Sequence, residues 1–269
     1  MISLRLKEEL AVPLEAEAIT SDGFQDKSLI EIANLPVIYG NQAAKLGDFF
    51  EIKPNGTDEV RVEGDLDRVK YIGSGMKQGN LVVEGNAGMH LGANMRGGKI
   101  VVHGNVGDWA GAEMRGGIIH IWGNAGHALG GAYRGSPRGM NKGVIMVNGN
   151  AGSEVGATMR RGLIVIGGNT GEFTGAFLIA GTIFVFGKLG ERAGAGLKRG
   201  TIVTFQQPTL LPTYVYDCVY KPAFLRLVMQ NLRSLGWPIQ DEHVNGYYRR
   251  YSGDINALGK GEILVYDQR

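Results

Sequence analysis

Residues 79–199 repeat one glycine-rich unit six times. Aligned on their glycines, the units read GNLVVEGNAGMHLGANMRG (79–97), GKIVVHGNVGDWAGAEMRG (98–116), GIIHIWGNAGHALGGAYRG (117–135), GVIMVNGNAGSEVGATMRR (143–161), GLIVIGGNTGEFTGAFLIA (162–180) and GTIFVFGKLGERAGAGLKR (181–199). Leading glycines recur every 19 residues from Gly79 to Gly117, and again from Gly143 to Gly200. A fixed period of this length is typical of a solenoid, in which successive units stack as coils.

Each unit contains a predicted β-strand. Two positions after the leading glycine every unit has Leu or Ile, and the residue two positions further on is Val or Ile. This alternation of β-branched residues predicts strands with one face turned inward. The spacing of leucine-rich repeats and the 3.6-residue period of helical repeats are both absent. We therefore predict an all-β fold, a right-handed parallel β-helix of about seven coils with a 19-residue repeat.

Glycine is predicted to form the corners, because it adopts positive φ and allows close approach of backbones at little cost. Three glycine columns recur in every unit, as in Gly85, Gly88 and Gly92. One bulky residue per coil is predicted to fill a narrow, packed core. These filler residues are Met95, Met114, Tyr133, Met159, Leu178 and Leu197.

Two polar columns follow the stack. In the first, Asn86, Asn105, Asn124, Asn150 and Asn169 are predicted to form a structural ladder, with each amide donating a hydrogen bond to the next. In the second, Arg96, Arg115, Arg134 and Arg160 form a basic ridge. Because stacked like charges repel, the ridge must be solvated, interleaved with acids such as Glu113 and Glu154, or covered by a partner.

The third unit takes 26 residues instead of 19. Its seven extra residues are assigned to residues 136–142, which include Arg138 and Lys142. Insertions in a solenoid form loops on one face, and such loops are often functional. We therefore predict that Arg96, Arg115, Arg134, Arg138, Lys142 and Arg160 form one partner interface.

Both ends of the stack are predicted to be capped, because an open end would expose unpaired backbone groups. Residues 1–57 are assigned to an N-terminal α+β cap, with a strand at residues 2–7 and a helix begun by the capping box at Ser28. Residues 58–205 are assigned to the β-helix, whose first coil is degenerate. Residues 206–269 are assigned to a cap with a helix after Pro222 and two strands, at residues 246–251 and 262–266.

Composition excludes several classes of protein. The chain has 269 residues, a net charge of +2 and one cysteine, so it has no intramolecular disulfide and no basic signature of nucleic-acid binding. No apolar run approaches the length of a membrane span. These features favour a cytoplasmic protein without a membrane or nucleic-acid partner.

No catalytic or metal-binding group is evident. His90, His103, His120 and His127 fall in four different columns, which argues against a ligand set. Cys218 lies in an apolar stretch without an activating base. The repeated G-N-x-G corners have strands on both sides and therefore do not resemble phosphate-binding loops, which open a helix. We expect no catalytic, cofactor-binding or metal-binding residue in this chain.

The repeated G-x-x-G-x-x-x-G units over residues 60–205 resemble the GXGXG domain of two families. These are the glutamate synthase large subunit and the C (gamma) subunit of formylmethanofuran dehydrogenase. The run YYRRYSGDINALGKGEILV at residues 247–265 is similar to the end of the C subunits, including that of the bacterial formyltransferase/hydrolase complex. The resemblance therefore points to a C subunit.

This resemblance implies a scaffold subunit of a formylmethanofuran dehydrogenase, in which CO2 is reduced and formyl-methanofuran is formed. Its partners would be pterin-metal subunits and an amidohydrolase-like subunit, with formyltransferase-like or ferredoxin-like subunits as further candidates. Tungsten or molybdenum pterin and iron-sulfur clusters would then belong to the partners. The alternatives are the C subunit of the metal-free bacterial formyltransferase/hydrolase complex and a stand-alone glutamate synthase domain.

Overall fold

The structure is a computed structural model and describes residues 1–267. The strands before the repeats are β1 (Ile2–Leu6), β2 (Leu14–Glu15), β3 (Pro36–Tyr39), β4 (Gln42–Lys45) and β5 (Phe50–Pro54). The strands of the repeats are β6 (Glu59–Glu63), β7 (Val69–Lys70), β8 (Asn80–Glu84), β9 (Lys99–Val102), β10 (Arg115–Ile121), β11 (Lys142–Val147), β12 (Leu163–Ile166), β13 (Thr182–Val185) and β14 (Thr201–Thr204). After them come β15 (Val215–Tyr220), β16 (Tyr247–Gly253) and β17 (Gly261–Asp267). The helices are α1 (Ser21–Phe24), α2 (Leu29–Ala33), α3 (Leu46–Phe49), α4 (Ala223–Ser234) and α5 (Asp241–Asn245).

The repeats pair side by side in one large sheet. Its order is β15-β16-β17-β14-β13-β12-β11-β10-β9-β8-β6-β1-β5, and every pair from β6 to β14 is parallel. The pairing keeps equivalent residues level, as in Ile100 with Ile119 and Ile119 with Ile145. The predicted mostly β chain with parallel pairing between repeats is therefore confirmed.

The repeats also meet at a second place. Single parallel bridges join Ala87 to Val106, Val106 to Ala125 and Ala125 to Ala151, one repeat after another. Between these bridges and the sheet lies one continuous apolar cluster, in which Ile100, Ile119 and Met114 are fully buried. The interior is thus a packed core, as the column of bulky residues predicted.

The position of the inserted loop differs from the sequence assignment. The backbone N–H of Arg115 donates to the Met95 oxygen, and the N–H of Asn141 donates to the Met114 oxygen, both at 2.7 Å. Met140, fully buried, therefore fills the place assigned to Tyr133. The inserted loop is residues 132–138 and not 136–142. A narrow apolar core accepts an unbranched Met more readily than a Tyr, whose hydroxyl needs a buried partner.

Glycine does not form the corners alone. One column of corner residues has φ between 53° and 56°, and it contains Asn94, Glu113, Thr158 and Phe177. A second column has φ between 55° and 65°, and it contains Tyr71, His90, Trp109, Ala128, Glu154, Phe173 and Arg192. Apart from Arg192 in the last repeat, each of these residues donates its backbone N–H to the next repeat, as Trp109 N–H does to the His127 oxygen at 2.8 Å. The stacking stabilises a conformation that side chains otherwise disfavour.

The asparagine column is a ladder, but its bonds differ from the expected ones. The Oδ1 atom of Asn105 accepts from the backbone N–H of Asn124 at 2.8 Å, and the Oδ1 of Asn124 accepts from the N–H of Asn150 at 2.8 Å. In addition, the Asn124 Nδ2 donates to the Asn105 Oδ1 at 3.1 Å, which is a bond from one side-chain amide to the next. The side chains thus act mainly as acceptors for the next repeat's backbone.

The N-terminal segment covers the edge of the first repeat. As predicted, β1 is a strand, and it pairs in parallel with β6 and antiparallel with β5. The predicted capping box at Ser28 is confirmed, because the Ser28 N–H donates to Glu31 Oε2 at 2.8 Å and the Glu31 N–H donates back to Ser28 Oγ. Strands β2, β3, β4 and β7 form a second, four-stranded sheet beside it.

The C-terminal segment extends the sheet and covers its outer face. Strand β17 pairs in parallel with β14, and β16 and β15 follow in antiparallel order. The predicted helix and both predicted strands are present, whereas β15 and α5 were not anticipated. Helix α4 buries Leu225, Met229 and Leu232 against the outer side of the sheet. Phe224, near the start of the helix, is 38% exposed.

Side chains of the C-terminal segment also complete the last repeat. The Tyr214 hydroxyl donates to the Gly194 oxygen at 2.9 Å, and Asp254 Oδ2 accepts from the Gly196 N–H at 3.0 Å. In the preceding repeats the N–H equivalent to that of Gly196 donates to the next unit, as Glu113 N–H does to the Gly131 oxygen. Asp254 therefore takes the place of a following repeat at Gly196, and Tyr214 adds a bond at Gly194. In residues 1–267, no helix is both long and apolar enough to cross a membrane.

Candidate functional site

Three of the predicted ridge residues hold equivalent places in the stack. The backbone N–H groups of Arg96, Arg115 and Arg160 each donate to the oxygen of a buried methionine one repeat earlier, at 2.7–2.9 Å. Asn141 takes this place in the third repeat, where Arg134 was expected. Arg134 lies instead on the inserted loop and is exposed. The basic column is therefore Arg96, Arg115 and Arg160, interrupted by Asn141.

The inserted loop brings further cations to this column. Arg138 is exposed on the loop, and Lys142 pairs with Arg115 in the register of β10 and β11. Arg115 and Arg138 line the same groove, together with Glu113, Ser136, Pro137, Gly139 and Asn141. This cationic groove has a volume of about 380 Å³. The structure thus joins Arg115, Arg138 and Lys142, whereas no measured contact joins Arg134 to them.

None of these cations is neutralised by a neighbouring acid within the described part of the chain. No carboxylate oxygen lies within 4.0 Å of the charged nitrogens of Arg96, Arg115, Arg134, Arg138, Lys142 or Arg160 in residues 1–267. Glu113 shares the cationic groove, but its Oε1 accepts from the backbone N–H of Tyr133 at 3.3 Å. Interleaved acids therefore do not relieve the repulsion between the stacked cations. Of the three possibilities named from the sequence, solvation and a partner remain.

An aromatic stack holds the inserted loop against the repeats. Tyr71, His90 and Trp109 occupy one corner column, and their rings stack with centroids 4.5 and 5.5 Å apart. The next residue of the column is Ala128, which has no ring. Tyr133 of the loop packs beside this stack, with its ring 5.5 Å from the His90 ring and 6.4 Å from the Trp109 ring. The aromatic side chain of Tyr133 thus holds the loop against the repeats.

A hydrogen bond adds to this contact, because the Tyr133 hydroxyl lies 2.9 Å from His90 Nδ1. Burial lowers the pKa of His90 below 6.5, with the nearby Lys70 acting in the same direction. Burial also raises the pKa of Tyr133 well above 10.0. Both groups are therefore neutral near pH 7, and the bond joins a neutral phenol to a neutral imidazole. These residues belong to the support of the loop.

A second groove lies on the other side of the loop. Its walls are mostly apolar, and its volume is about 340 Å³. This apolar groove is lined by Ala132, Tyr133, Ser136, Glu154, Ala157, Thr158, Phe173, Ala176 and Phe177. The Phe177 side chain is 60% exposed, although a phenylalanine normally favours a buried position. Ser136 borders both grooves.

Sequence reasoning missed the aromatic stack and the apolar groove. A signal for the stack was present, since Tyr71, His90 and Trp109 are 19 residues apart. The place of Tyr133 beside them depends on the path of the loop. Phe177 gave no signal, because its column elsewhere contains polar residues or glycine.

The structure also places the residues considered for catalysis. In residues 1–267 no group of three or more His, Cys, Asp or Glu side chains is arranged to hold a metal ion. His103 pairs with Glu84 at 2.7 Å, and His120 bonds to Asn148 at 2.8 Å, so each ring has a partner of its own. Cys218 is half-buried in β15 and is not in a disulfide. These side chains form no shared site.

Parts of the chain are similar to known proteins. No protein-family model matches the chain. The C subunit of molybdenum-containing formylmethanofuran dehydrogenase 1 from Methanothermobacter thermautotrophicus is 47% identical over 87 residues, which are 32% of this chain and 22% of that protein. The C subunit of tungsten-containing formylmethanofuran dehydrogenase 2 from Methanothermobacter marburgensis is 44% identical over 95 residues, which are 34% of this chain and 35% of that protein. The chain thus matches only 22% to 35% of the length of these curated relatives.

A solved structure matches the whole chain. It is the formyltransferase/hydrolase complex of Methylorubrum extorquens in complex with methylofuran, one chain of which is 37% identical with a TM-score of 0.91. The match covers 99% of this chain and 100% of that chain. The local matches to named C subunits and this full-length match agree with each other. The chain belongs to the family of formylmethanofuran dehydrogenase C subunits.

Proposed function

We propose that this chain is a non-catalytic scaffold subunit that holds the catalytic subunits of a one-carbon enzyme complex in place. The observation that carries the proposal is the unneutralised basic surface around the inserted loop. Exposed cations without an internal counter-charge are suited to steering and orienting an acidic partner. The repeats that carry them are joined by hydrogen bonds in register, which gives the surface a fixed geometry.

We propose Arg96, Arg115, Arg138, Lys142 and Arg160 as interface residues on this surface. We keep Arg134 as a candidate interface residue because it lies on the inserted loop, next to Tyr133. It is no longer assigned to the basic column. The membership of the relatives in multi-subunit complexes supports an interface here.

Two complexes are candidates. The full-length match at 37% identity favours the formyltransferase/hydrolase type. The second candidate is a formylmethanofuran dehydrogenase, which the 47% identity of an 87-residue segment favours. In that case we propose that partner subunits hold the molybdenum or tungsten pterin and the iron-sulfur clusters, and that the assembled complex is an oxidoreductase.

We also infer that the repeats wind as a right-handed parallel β-helix. The in-register sheet, the second ladder of single bridges and the buried methionine column support this fold. The division into residues 1–57, 58–205 and 206–269 is part of the same proposal. Left-handed winding, or strands that return through the same sheet, would contradict this fold.

The test of function is purification with and without partners. The isolated chain should show no formylmethanofuran oxidation with viologen dyes and no formyl transfer. The complex co-purified from the source cell should show one of the two activities, and its content of molybdenum, tungsten and iron decides between the two candidates. Turnover by the isolated chain would contradict the scaffold role. Glutamine-dependent glutamate formation by the complex would instead favour the glutamate synthase alternative.

A further inference from the structure

The inserted loop separates two grooves of opposite chemistry. On one side, Arg115 and Arg138 line the cationic groove. On the other, Phe173 and Phe177 line the apolar groove. Ser136 borders both, so the two grooves are separated by little more than the width of the loop. A ligand that crosses the loop would therefore meet an apolar surface and a cationic surface within a short distance.

Phe177 has the features of a binding residue more than those of a core residue. Its φ of 53° is in the left-handed region, which costs a bulky side chain free energy. Its column elsewhere has Asn94, Glu113 and Thr158, which tolerate an exposed position. The ring lies against Gly196, where a Cβ would come within 2.6 Å of it. An aromatic ring is thus held on the surface where a polar residue would serve the fold as well.

The cationic side defines the charge of the ligand. Arg115 and Arg138 have no carboxylate within 4.0 Å in residues 1–267, and the only acid in the groove, Glu113, is engaged by the Tyr133 N–H. A carboxylate would pair with the two guanidinium groups, and it would be specific for this side of the loop.

We propose that the two grooves together bind one extended segment of a partner subunit, which inserts a large apolar side chain beside Phe177 and a carboxylate between Arg115 and Arg138. The two side chains would be about two to four residues apart, since an extended chain covers about 7 to 14 Å in that length. This inference rests on the proposed scaffold function, and it specifies the chemistry of the docked segment. The apolar group supplies affinity, and the carboxylate fixes direction and register.

Photo-crosslinking gives the direct test. In the co-expressed complex, Phe177 is replaced by p-benzoylphenylalanine, and the crosslinked peptide is identified by mass spectrometry. We expect one peptide of a partner subunit, with a large apolar residue and an Asp or Glu within about four residues of it. The same photoreactive residue at Leu227, which is 70% exposed on α4, is the control and should not capture that peptide. A peptide from a second copy of this chain, or a partner peptide without a nearby acid, would overturn the proposal.

Substitutions give an independent test. Phe177→Ala should raise the Kd of the isolated chain for the separately purified partner subunits about 30-fold, the effect of a central interface residue. Arg138→Glu should weaken binding with a loss that shrinks as salt is raised. The paired change Arg226→Glu with Leu227→Ala, on exposed residues of α4, is the matched control. All variants are first checked for unchanged thermal unfolding.

The outcomes separate this inference from the proposed function. If the wild-type chain forms no complex, both fail. If it forms the complex and both Phe177→Ala and Arg138→Glu assemble like wild type, the scaffold role stands and the two-groove proposal is overturned. If the two variants fold normally and lose binding while the α4 control retains it, the proposal is supported.

Discussion

The Tyr133 hydroxyl lies 2.9 Å from the Nδ1 atom of His90, across 43 positions of the chain. This contact joins the inserted loop to a corner of the stack two repeats away. The loop therefore has a defined path, although it is an insertion that adds nothing to the pairing of strands. Its defined path is what places Arg138 and Ser136 beside the repeats.

Removal of this hydrogen bond should loosen the loop. Tyr133→Phe keeps the ring on the aromatic stack and loses about 1 kcal/mol of hydrogen bonding, so the loop should open more often. Trypsin cleavage after Arg134 or Arg138 measures the opening, and we expect it to be faster than in wild type. Tyr216→Phe, at an exposed tyrosine far from the loop in sequence, is the control. An unchanged cleavage rate would show that ring packing alone holds the loop.

Two deletions of seven residues test the place of the insertion. Deletion of residues 132–138 restores a 19-residue repeat with Met140 in the core, and the chain should fold with a nearly unchanged melting temperature, because a surface loop is entropically cheap to shorten. Deletion of residues 136–142 removes the buried Met140 and should lower the melting temperature strongly or prevent folding. Circular dichroism compares them. Equal stability of the two deletions would contradict the register found here.

The methionine column should tolerate apolar changes and reject charge. Met114 is fully buried, so Met114→Asp should cost several kcal/mol, because it places a charge in the core without a partner. Met114→Leu keeps volume and polarity and should cost less than about 1.5 kcal/mol. Urea unfolding measures both. A stable Met114→Asp variant would show that this side chain reaches solvent.

The geometry of the asparagine ladder predicts that stability depends on the side-chain oxygen at each position much more than on the side-chain NH2 group. Asn124→Asp keeps an oxygen for the Asn150 N–H and should remain close to wild type in stability. Asn124→Ala removes that oxygen and should cost about 1 kcal/mol. Thermal unfolding near neutral pH compares the two variants. If Asn124→Asp is as unstable as Asn124→Ala, the bonds from amide to amide are the important ones.

The environment of Asp254 predicts that the unfolding free energy decreases at acidic pH. Burial acts to raise its pKa, but hydrogen bonds from the Gly196 and Asn256 N–H groups dominate and hold the pKa below 3.8. A carboxyl group with a lowered pKa stabilises the folded chain fully above 3.8, and this contribution is lost as the pH falls below it. The difference in unfolding free energy between wild type and Asp254→Ala should therefore be constant near pH 6 and shrink below pH 4. Urea unfolding at each pH measures this difference, with Glu191→Ala, at an exposed carboxylate, as the control variant.

Much of the fold could be predicted from the sequence, because each repeat has the same residue types at the same positions. Ile100 and Ile119 were assigned to the inner face by their period of two, and they pair as expected. The capping box at Ser28 and the helix after Pro222 follow from short-range rules, and both are present. These features depend on residues within a few positions of one another.

The inserted loop shows where local reading ends. Both Tyr133-Arg134 and Met140-Asn141 continue the repeat pattern, the first by its spacing from the preceding Gly130 and the second by its spacing to the following Gly143. The choice depends on fit into a core that neighbouring repeats have already shaped, and on whether Asn141 or Arg134 can bond to the Met114 oxygen. The buried apolar site accepts Met140, which sends Tyr133 outward to the aromatic stack.

The sequence by itself determined the period, the strand faces and the presence of caps, since each is encoded in the spacing of side chains along the chain. Only the tertiary structure decided which residues leave the stack, which basic residues share a groove and which side chains close the last repeat. Tyr214 and Asp254 illustrate the reason. Their partners Gly194 and Gly196 lie 20 and 58 positions away, and only stacking brings those backbone groups within hydrogen-bonding distance.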